Sequence, residues 1–410
     1  MEHHYGNLYW PTTWERSETY TPLTRNLRKN VAIIGGGMSG SICAHTLIEA
    51  GLSTVILERD EISGGSTSAN TGLLQYANDV MLYELCDQIG TGPAVQFYAA
   101  CRMAVHQLRE LAARLPQEIE FVDRSSLYLA SSVDDVPKLQ REYEMLTRYG
   151  FDVEYWSAEQ LASRFPFTKP AALLLHGDAE VNPYRFVRSL MEDNVRRGVE
   201  VYNQTEVVVH RTVDGQHLLE TANGHIVEAD HVVYAIGYEP EELRGQLIKA
   251  DINRSYAAVT APQHSLDVWP GRYMIWETAR PYLYMRTTQD GRVVVGGLDE
   301  EQSVPVADDH ARARRIDKLE RSIRSMFPTL DQPIEYEWCA AFGESRDNLP
   351  FIGSDPSWPG VYYCLGYGGN GTVYSMLASG IVRDLMLGRE PHPVWQTVRL
   401  DRPSLAGSSI

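Results

Sequence analysis

The sequence predicts an α/β protein (α+β overall) in which a domain built on a parallel sheet is interrupted by a second domain with an antiparallel sheet. Three observations support this. An apolar strand, a glycine-rich turn and a helix follow one another between residues 31 and 50. Four segments between 251 and 300 alternate in polarity with the period of two that half-buried strands show. A short apolar strand at 361–365 then leads through glycines into an apolar helix over 372–387.

The segment from 31 to 58 is the most informative part of the chain. Directly after the apolar strand Val31–Ile34 come three glycines with the spacing GxGxxG, namely Gly35, Gly37 and Gly40. In this pattern the first permits a tight turn, the second lets the backbone approach a pyrophosphate, and the third lets the next helix, predicted over 41–50, pack closely. Glu58 ends the second strand, where an acid accepts hydrogen bonds from a ribose diol. A Rossmann-like dinucleotide-binding domain is therefore predicted.

Three further segments favour FAD over NAD as the dinucleotide. The loop Ser66–Gly72 offers hydroxyls and backbone amides, and the strand 229–237 ends in Ala-Ile-Gly. The loop Gly366–Gly371 precedes a helix whose N-terminal dipole would stabilise the negative charge that collects on a reduced flavin. The residues expected to bind the cofactor are Gly35, Gly37, Met38, Ser39, Gly40, Glu58, Arg59, Ser66, Thr67, Ser68, Asn70, Thr71, Gly72, Val207, Ala235, Gly237, Gly366, Gly369, Asn370, Gly371 and Thr372.

The rest of the chain is expected to divide between the two domains. The FAD-binding domain is assigned residues 29–85, 160–240 and 335–390, and the substrate-binding domain 86–159 and 241–334. Periodicity predicts helices over 80–115, 135–149, 184–197 and 310–326, and strands over 126–130 and 199–209. Residues 1–28 are an aromatic-rich extension that we expect to lie ordered on the body, with a mobile arm as the alternative. Residues 391–410 form a C-terminal tail.

Composition excludes several classes of partner. The net charge of −17 argues against nucleic acid or an anionic membrane surface. Five cysteines without CxxC spacing indicate reduced thiols, with neither a metal site nor a disulfide framework. The sequence has no run of 18 apolar residues and no signal peptide, so a cytoplasmic protein without a membrane span is expected. The oligomeric state is open, and a homo-oligomer is allowed.

These motifs together resemble the D-amino-acid-oxidase-like (DAO) superfamily of FAD-dependent oxidoreductases. The sequence is most similar to its glycine and sarcosine oxidases, D-amino-acid dehydrogenases and gamma-glutamylputrescine oxidase-like proteins. The resemblance covers about residues 28–390 and rests on Gly35–Gly40 with Glu58, on Ser66–Gly72, on Ala235–Gly237, and on Trp338–Gly353 followed by Gly366–Gly371. It implies bound FAD and oxidation of the C–N bond of a small amine or amino acid by hydride transfer to flavin N5, after which water hydrolyses the imine.

Two departures from the family pattern concern the flavin. Monomeric sarcosine oxidases carry an oxygen-activating lysine on the strand that matches Arg292–Gly297, which has none here. Oxygen and another electron acceptor therefore both stay open. The same enzymes attach FAD through a cysteine near Cys339, but counting back from Asp347 puts Ala340 at that position. Non-covalent FAD is expected.

The candidate substrate-binding and catalytic residues lie on the strands of the second domain. Arg286 could bind a substrate carboxylate through both of its terminal nitrogens, or could be a surface strand residue paired with an acid. Tyr284, with Tyr282 on the same face, is expected either to line the pocket or to pack between sheet and helix. Glu277, which follows Trp276 on a neighbouring strand, could bind a cationic amine. Three residues are expected to be structural: His176, His231 and Cys339.

Two other functions are compatible with parts of the sequence. An NAD-linked dehydrogenase would use the same GxGxxG pattern, but it leaves the loops 66–72 and 366–371 unexplained. A non-catalytic flavin-bearing scaffold would account for the aromatic extension. An FAD-dependent amine or amino-acid oxidoreductase explains more of the chain than either.

Overall fold

The computed structural model describes residues 4–15, 19–238 and 250–406. In these residues the strands form one sheet of eight and one of ten. The eight-stranded sheet contains β2 (Leu27–Ile34), β3 (Thr54–Leu57), β8 (Glu200–Tyr202), β9 (Val207–Val213), β10 (Gln216–Thr221), β11 (Ile226–Tyr234), β17 (Phe351–Ser354) and β18 (Val361–Leu365). The ten-stranded sheet contains β1 (His4–Asn7), β4 (Leu73–Leu74), β5 (Val122–Leu129), β6 (Val153–Ser157), β7 (Ala171–Glu180), β12 (Ala250–Thr260), β13 (Met274–Glu277), β14 (Leu283–Thr287), β15 (Val293–Glu300) and β16 (Ile334–Ser345).

The helices cover the sheets and connect them. They are α1 (Met38–Glu49), α2 (Ser66–Ala69), α3 (Leu82–Ile89), α4 (Thr91–Ala112), α5 (Val136–Arg148), α6 (Ala158–Ala162), α7 (Pro183–Arg196), α8 (Asp309–Met326), α9 (Gly371–Met386) and α10 (Trp395–Val398). Gly90, with φ +91°, separates α3 from α4 within the helical stretch predicted over 80–115. None of the helices in the described ranges combines the length and apolar composition needed to cross a membrane.

The centre of the eight-stranded sheet is parallel and buried on both faces. Strands β18, β11, β2, β3 and β8 are parallel neighbours in that order. Along β2 the side chains alternate: Val31 and Ile33 pack into the helix-covered core, while Ala32 and Ile34 join the core on the opposite face. Both α7 and α9 contact α1 on the first of these faces. The prediction that the N-terminal βαβ unit and the C-terminal strand share one sheet is confirmed.

The ten-stranded sheet contains the four strands predicted between 251 and 300, which are β12 to β15. Strand β12 pairs antiparallel with β15 and with β16, and β14 pairs antiparallel with β13 and with β15, as expected. The sheet is nevertheless mixed, because β13 runs parallel to β5. The segment between those two strands is long enough for the crossover that a parallel pair requires.

The N-terminal extension lies ordered on the body over its described residues, as predicted. Strand β1 pairs antiparallel with β16, so that His4 faces Ala340 across the strands and Gly6 faces Trp338. A short 3₁₀ turn, Trp10–Thr13, follows, and the Trp10 side chain is fully buried.

Three sequence-based assignments need correction. The strand predicted over 199–209 is two strands, because Asn203 to Thr205 form a turn whose backbone amides donate to the Glu58 and Asp60 carbonyls. The segments Ala171–Glu180 and Ile334–Ser345 were assigned wholly or largely to the FAD-binding domain, yet both lie in the ten-stranded sheet. The predicted boundary between residues 240 and 241 lies outside the described residues.

A buried ion pair holds the C-terminal segment against the body. Arg402, 2% exposed, donates to both carboxylate oxygens of Asp347 at 2.7 Å and also to the Leu349 and Pro350 carbonyls. Burial opposes ionisation of Asp347, but the hydrogen bonds and charge of Arg402 outweigh it and lower the pKa of the carboxyl. The pair therefore stabilises the fold at neutral pH, and that stabilisation is lost as the pH falls through the lowered pKa.

We expect Arg402→Met to lower the free energy of unfolding by about 3–5 kcal/mol, because it leaves the Asp347 charge buried without its partner. Urea titration at pH 7 measures this. The matched control is Arg324→Met, which breaks an exposed pair with Glu320 on α8 and should cost below about 1 kcal/mol. Equal losses in the two variants would contradict this account of Arg402.

Candidate active site

A cavity of about 690 Å³ opens where the parallel strands end. Its lining includes the residues at or just beyond the carboxyl ends of β2, β3, β11 and β18: Gly35, Glu58, Ala235 and Gly366. Open α/β sheets bind their ligands at this edge. The volume falls within the range of about 300–1,000 Å³ usual for ligand sites.

The glycine pattern has the geometry that the sequence predicts. Gly35 adopts φ +107°, and a side chain there would collide with the Ala235 carbonyl. A Cβ on Gly40 would collide with the Gly35 carbonyl, so this glycine sets the close packing of α1 on the sheet and does not line the cavity. Gly37 is the N-cap of α1, and the backbone amide of Met38 donates to Thr67 Oγ1 at 3.0 Å. The helix begins at Met38, three residues before the predicted start.

Glu58 lies in the cavity wall and is held by the backbone. Its Oε2 accepts from the Gly36 amide at 2.7 Å, and its Oε1 from the Asp60 amide at 2.9 Å. Burial raises the pKa of Glu58, although both hydrogen bonds act in the opposite direction. Each oxygen accepts one backbone hydrogen bond, which leaves acceptor capacity for a diol.

A second helix points its N-terminus into the same cavity. Helix α9 begins at Gly371, and the lining includes Thr372 and Ser375. The hydroxyls of Ser375 and Ser39 lie 2.8 Å apart, which joins the N-terminal parts of α9 and α1. Two positive helix ends therefore face one space, as an anionic cofactor requires.

Most of the predicted cofactor residues meet in this cavity. Those that line it are Gly35, Gly37, Met38, Ser39, Glu58, Arg59, Ser66, Thr67, Asn70, Val207, Ala235, Gly237, Gly366, Gly371 and Thr372. Two others play structural parts: Ser68 caps its own turn by donating to the Gly65 carbonyl, and Gly72 packs against Arg286. Thr71, Gly369 and Asn370 line a second cavity instead.

The second cavity, of about 160 Å³, adjoins the first. Four residues line both: Ser66, Asn70, Tyr238 and Gly371. Aromatic side chains form much of its wall: Trp276, Tyr282, Tyr284, Trp338 and Phe342. Tyr284 and Tyr282 therefore lie in the wall of a pocket, which is the first of the two alternatives that the sequence left open.

Tyr284 reaches the cavity because a glycine lies opposite it. Tyr284 pairs with Gly296 across β14 and β15, and a Cβ on Gly296 would collide with the phenol ring. Burial raises the pKa of Tyr284, so the phenol stays protonated at neutral pH; hydrogen bonds with Thr71 and Ser255 oppose the shift.

The structure contradicts the predicted role of Arg286. Its side chain is 3% exposed and lines neither cavity. The guanidinium donates to the backbone carbonyls of Thr71 (2.7 Å), Val181 (2.9 Å) and Thr287 (3.1 Å), and lies 3.8 Å from Glu180. Burial lowers the pKa of Arg286, and the Glu180 charge opposes that shift. Arg286 therefore anchors the loop before β4 to the ten-stranded sheet and is not available for a substrate carboxylate.

Other side chains considered from the sequence also lie away from the cavities. Glu277 accepts from Lys169 at 2.8 Å and from Ser131, so the suggestion that it meets an amine is wrong. His176 bridges Ser125 and Glu154. Cys339 is fully buried in the core beneath α8, where its Sγ accepts from the Val306 amide at 3.3 Å.

One side of the second cavity is acidic, which the sequence did not indicate. Asp79 and Asp299 line it, and Glu344 lies two residues beyond Phe342 on the same face of β16. Asp79 Oδ2 accepts from the Gly369 amide at 3.0 Å. These acids come from three separate parts of the chain, so no spacing could have grouped them.

A parallel sheet with a glycine turn and two helix N-termini at its carboxyl edge is the arrangement of a dinucleotide-binding domain. The comparison with protein families agrees: the family model described as "FAD dependent oxidoreductase" (DAO) matches residues 30–385. The chain belongs to this family of enzymes, as the sequence motifs predicted.

Individual relatives are distant but match over most of their length. Glycine oxidase of Bacillus licheniformis is 24% identical over 377 residues, which cover 90% of this chain and 95% of the relative. Gamma-glutamylputrescine oxidoreductase of Escherichia coli is 23% identical over 399 residues, covering 93% and 88%. The crystal structure of glycine oxidase from Geobacillus kaustophilus superposes with a TM-score of 0.80 at 20% identity, covering 92% of this chain and 99% of that one.

The contacts of Arg286 predict that its removal destabilises the protein. We expect Arg286→Leu to lower the free energy of unfolding by about 3–5 kcal/mol and to reduce the bound FAD, because buried carbonyls lose their donor and Glu180 loses its nearby charge. Thermal melts and the ratio of 450 nm to 280 nm absorbance measure both effects. Arg346→Leu, at an exposed position, is the control. A stable, FAD-loaded Arg286→Leu protein with a raised KM alone would restore the carboxylate-binding role.

Proposed function

We propose that the enzyme oxidises the C–N bond of a small amine or amino acid, and that FAD is bound in the larger cavity without a covalent link. The observation that carries this proposal is the adjacency of the two cavities across Ser66, Asn70, Tyr238 and Gly371. A substrate in the smaller cavity would meet a cofactor in the larger one at this junction. The activities named for the glycine oxidase and gamma-glutamylputrescine oxidoreductase relatives support the same class of reaction.

The fit of FAD rests on the chemistry of the larger cavity. Glu58 would accept the ribose hydroxyls, and the N-terminal amides of α1 would face the pyrophosphate. The N-terminus of α9 would lie beside the end of the cofactor nearest the second cavity, where Gly371 borders both spaces. When bound, the isoalloxazine ring accepts a hydride, and with it two electrons.

The protein's own residues would bind, orient and shield the substrate. The aromatic walls, with Tyr284 and Trp276 among them, would exclude water from the reacting carbon. In the oxidation the α-C–H bond would break as a C=N bond forms, with the hydride taken up by bound FAD and the amine proton released to solvent. Water would then hydrolyse the imine to a carbonyl compound and either ammonia or a free amine. Dioxygen or another external acceptor would take up the two electrons.

The environment of the cysteines supports non-covalent attachment. All five cysteines are in the described residues, each is buried, and none lines either cavity. We expect acid precipitation to release all of the flavin into the supernatant, measured by its fluorescence. Flavin that stays with the precipitate would contradict the proposal, and peptide mass spectrometry would then identify the attachment residue.

Anaerobic titration tests the reaction itself. The FAD-loaded protein is mixed without oxygen with primary and secondary amines and with glycine, sarcosine, proline and D-amino acids. We expect at least one compound to abolish the absorbance near 450 nm, because C–N oxidation delivers two electrons to the flavin. Admitting air then separates an oxidase from a dehydrogenase by the rate of recovery. If no amine or amino acid reduces the flavin, while dithionite does, the proposal fails.

A further inference from the structure

We propose that the substrate is an amine that carries a second positive charge and has no carboxylate on its reacting carbon, a diamine or polyamine being the simplest class. This rests on the proposed function, since it takes the smaller cavity as the substrate site. It goes further by stating which of the family's two broad substrate types, amines or amino acids, the cavity would accept.

Negative charge is concentrated around the smaller cavity. Asp79 and Asp299 contribute to its lining, and Glu344 follows Phe342 on the cavity face of β16. The three carboxylates interact with one another: the charges of Asp79 and Asp299 raise the pKa of Glu344, and that of Asp79 raises the pKa of Asp299, in both cases after burial as the larger cause. A bound cation would relieve this repulsion.

Among the residues that the structure describes, no positively charged side chain that could bind a carboxylate lines the smaller cavity. No lysine, arginine or histidine occurs there. Arg280 lies beside the cavity: it is exposed and donates to the backbone carbonyl of Asp79 at 3.0 Å, and its guanidinium lies 4.8 Å from the centre of the Tyr282 ring. Its charge opposes the rise in the pKa of Asp299 and of Glu344 but does not cancel it. Arg286 is committed to backbone carbonyls. An α-carboxylate in this cavity would therefore meet three acids with one exposed arginine nearby, which costs binding energy.

The walls suit a cation independently of the acids. Trp276, Tyr282 and Tyr284 expose aromatic surface to the cavity, and aromatic faces attract ammonium groups. The indole Nε1 of Trp276 is buried and has no hydrogen-bond partner, although the side chain lines the cavity and is only 5% exposed. A buried donor without a partner is costly unless a ligand satisfies it. A ligand that places an acceptor atom beside this indole would satisfy it.

These features assign different places to the two nitrogens of the substrate. The reacting nitrogen must be neutral to assist hydride loss from its neighbouring carbon, and it would lie at the junction with the larger cavity, beside Ser66 and Asn70. The second nitrogen stays protonated beside Asp299 and Glu344. The pKa of Asp299 is raised to about 6 and that of Glu344 to about 7, so near neutral pH both titrate and an ammonium would favour their ionised forms.

The experiment compares matched compounds on the FAD-loaded enzyme without oxygen. 1,4-Diaminobutane is compared with ornithine, which adds only an α-carboxylate, and with butylamine, which lacks the second nitrogen. The rate of flavin reduction gives kcat/KM, and the shift of the flavin spectrum at early times gives the Kd. We expect 1,4-diaminobutane to exceed both other compounds by about tenfold or more in kcat/KM and in affinity, which corresponds to about one charge–charge contact.

Two variants and a matched control assign the effect to the acids. Asp299→Asn and Glu344→Gln should each lower the affinity for 1,4-diaminobutane by about tenfold, with butylamine changed less than about threefold. Glu301→Gln removes the same charge from an exposed position just beyond β15 and should change neither. Thermal melts and FAD content verify that each variant is folded.

The outcomes separate this inference from the proposed function. Faster reduction by ornithine, glycine or sarcosine than by 1,4-diaminobutane would overturn the inference and leave C–N oxidation standing. Tight, Asp299-dependent binding of 1,4-diaminobutane without reduction of the flavin by any compound would support the charge recognition and refute the proposed reaction. Equal affinity for 1,4-diaminobutane and butylamine would overturn the inference.

Discussion

The close approach of backbone to backbone around Gly35 is the constraint on which the site depends. At Gly35 the chain turns at the end of β2 and passes so close to the Ala235 carbonyl that a side chain has no room. At Gly40 the first turn of α1 packs directly on the Gly35 carbonyl, and a side chain there would push the helix off the sheet. Because the helix stays close, its N-terminal amides face the space at the ends of the parallel strands. The side of the larger cavity formed by Gly35, Gly37, Met38 and Ser39 follows from this turn.

The ten-stranded sheet completes the site by holding the segment between 66 and 79. The Trp338 indole donates to the Ala69 carbonyl at 3.0 Å, Arg286 donates to the Thr71 carbonyl, and Asp178 accepts from the Tyr76 amide at 3.0 Å. This segment borders both cavities, so its position sets how they meet. The arginine that looked like a substrate ligand is thus one of the residues that build the junction.

Charge is distributed unevenly over the two cavities. The larger one receives two helix N-termini, which suit a pyrophosphate, and acids such as Glu58 and Glu206 also line it. The smaller one receives acids and aromatic rings, which suit a cation. The acids of the smaller cavity do not line the larger one, so substrate discrimination can be separated from cofactor binding by mutation.

The sequence by itself determined the parallel βαβ unit, the glycine turn, Glu58 and the family, because each is encoded in contiguous residues whose spacing the chemistry of dinucleotide binding restricts. It also located the strand that carries Tyr284. Only the tertiary structure decided what Arg286 and Glu277 contact, since a side chain's partners come from strands and loops far away in the chain. For the same reason the grouping of Asp79, Asp299 and Glu344 was invisible until three distant segments were folded against one another.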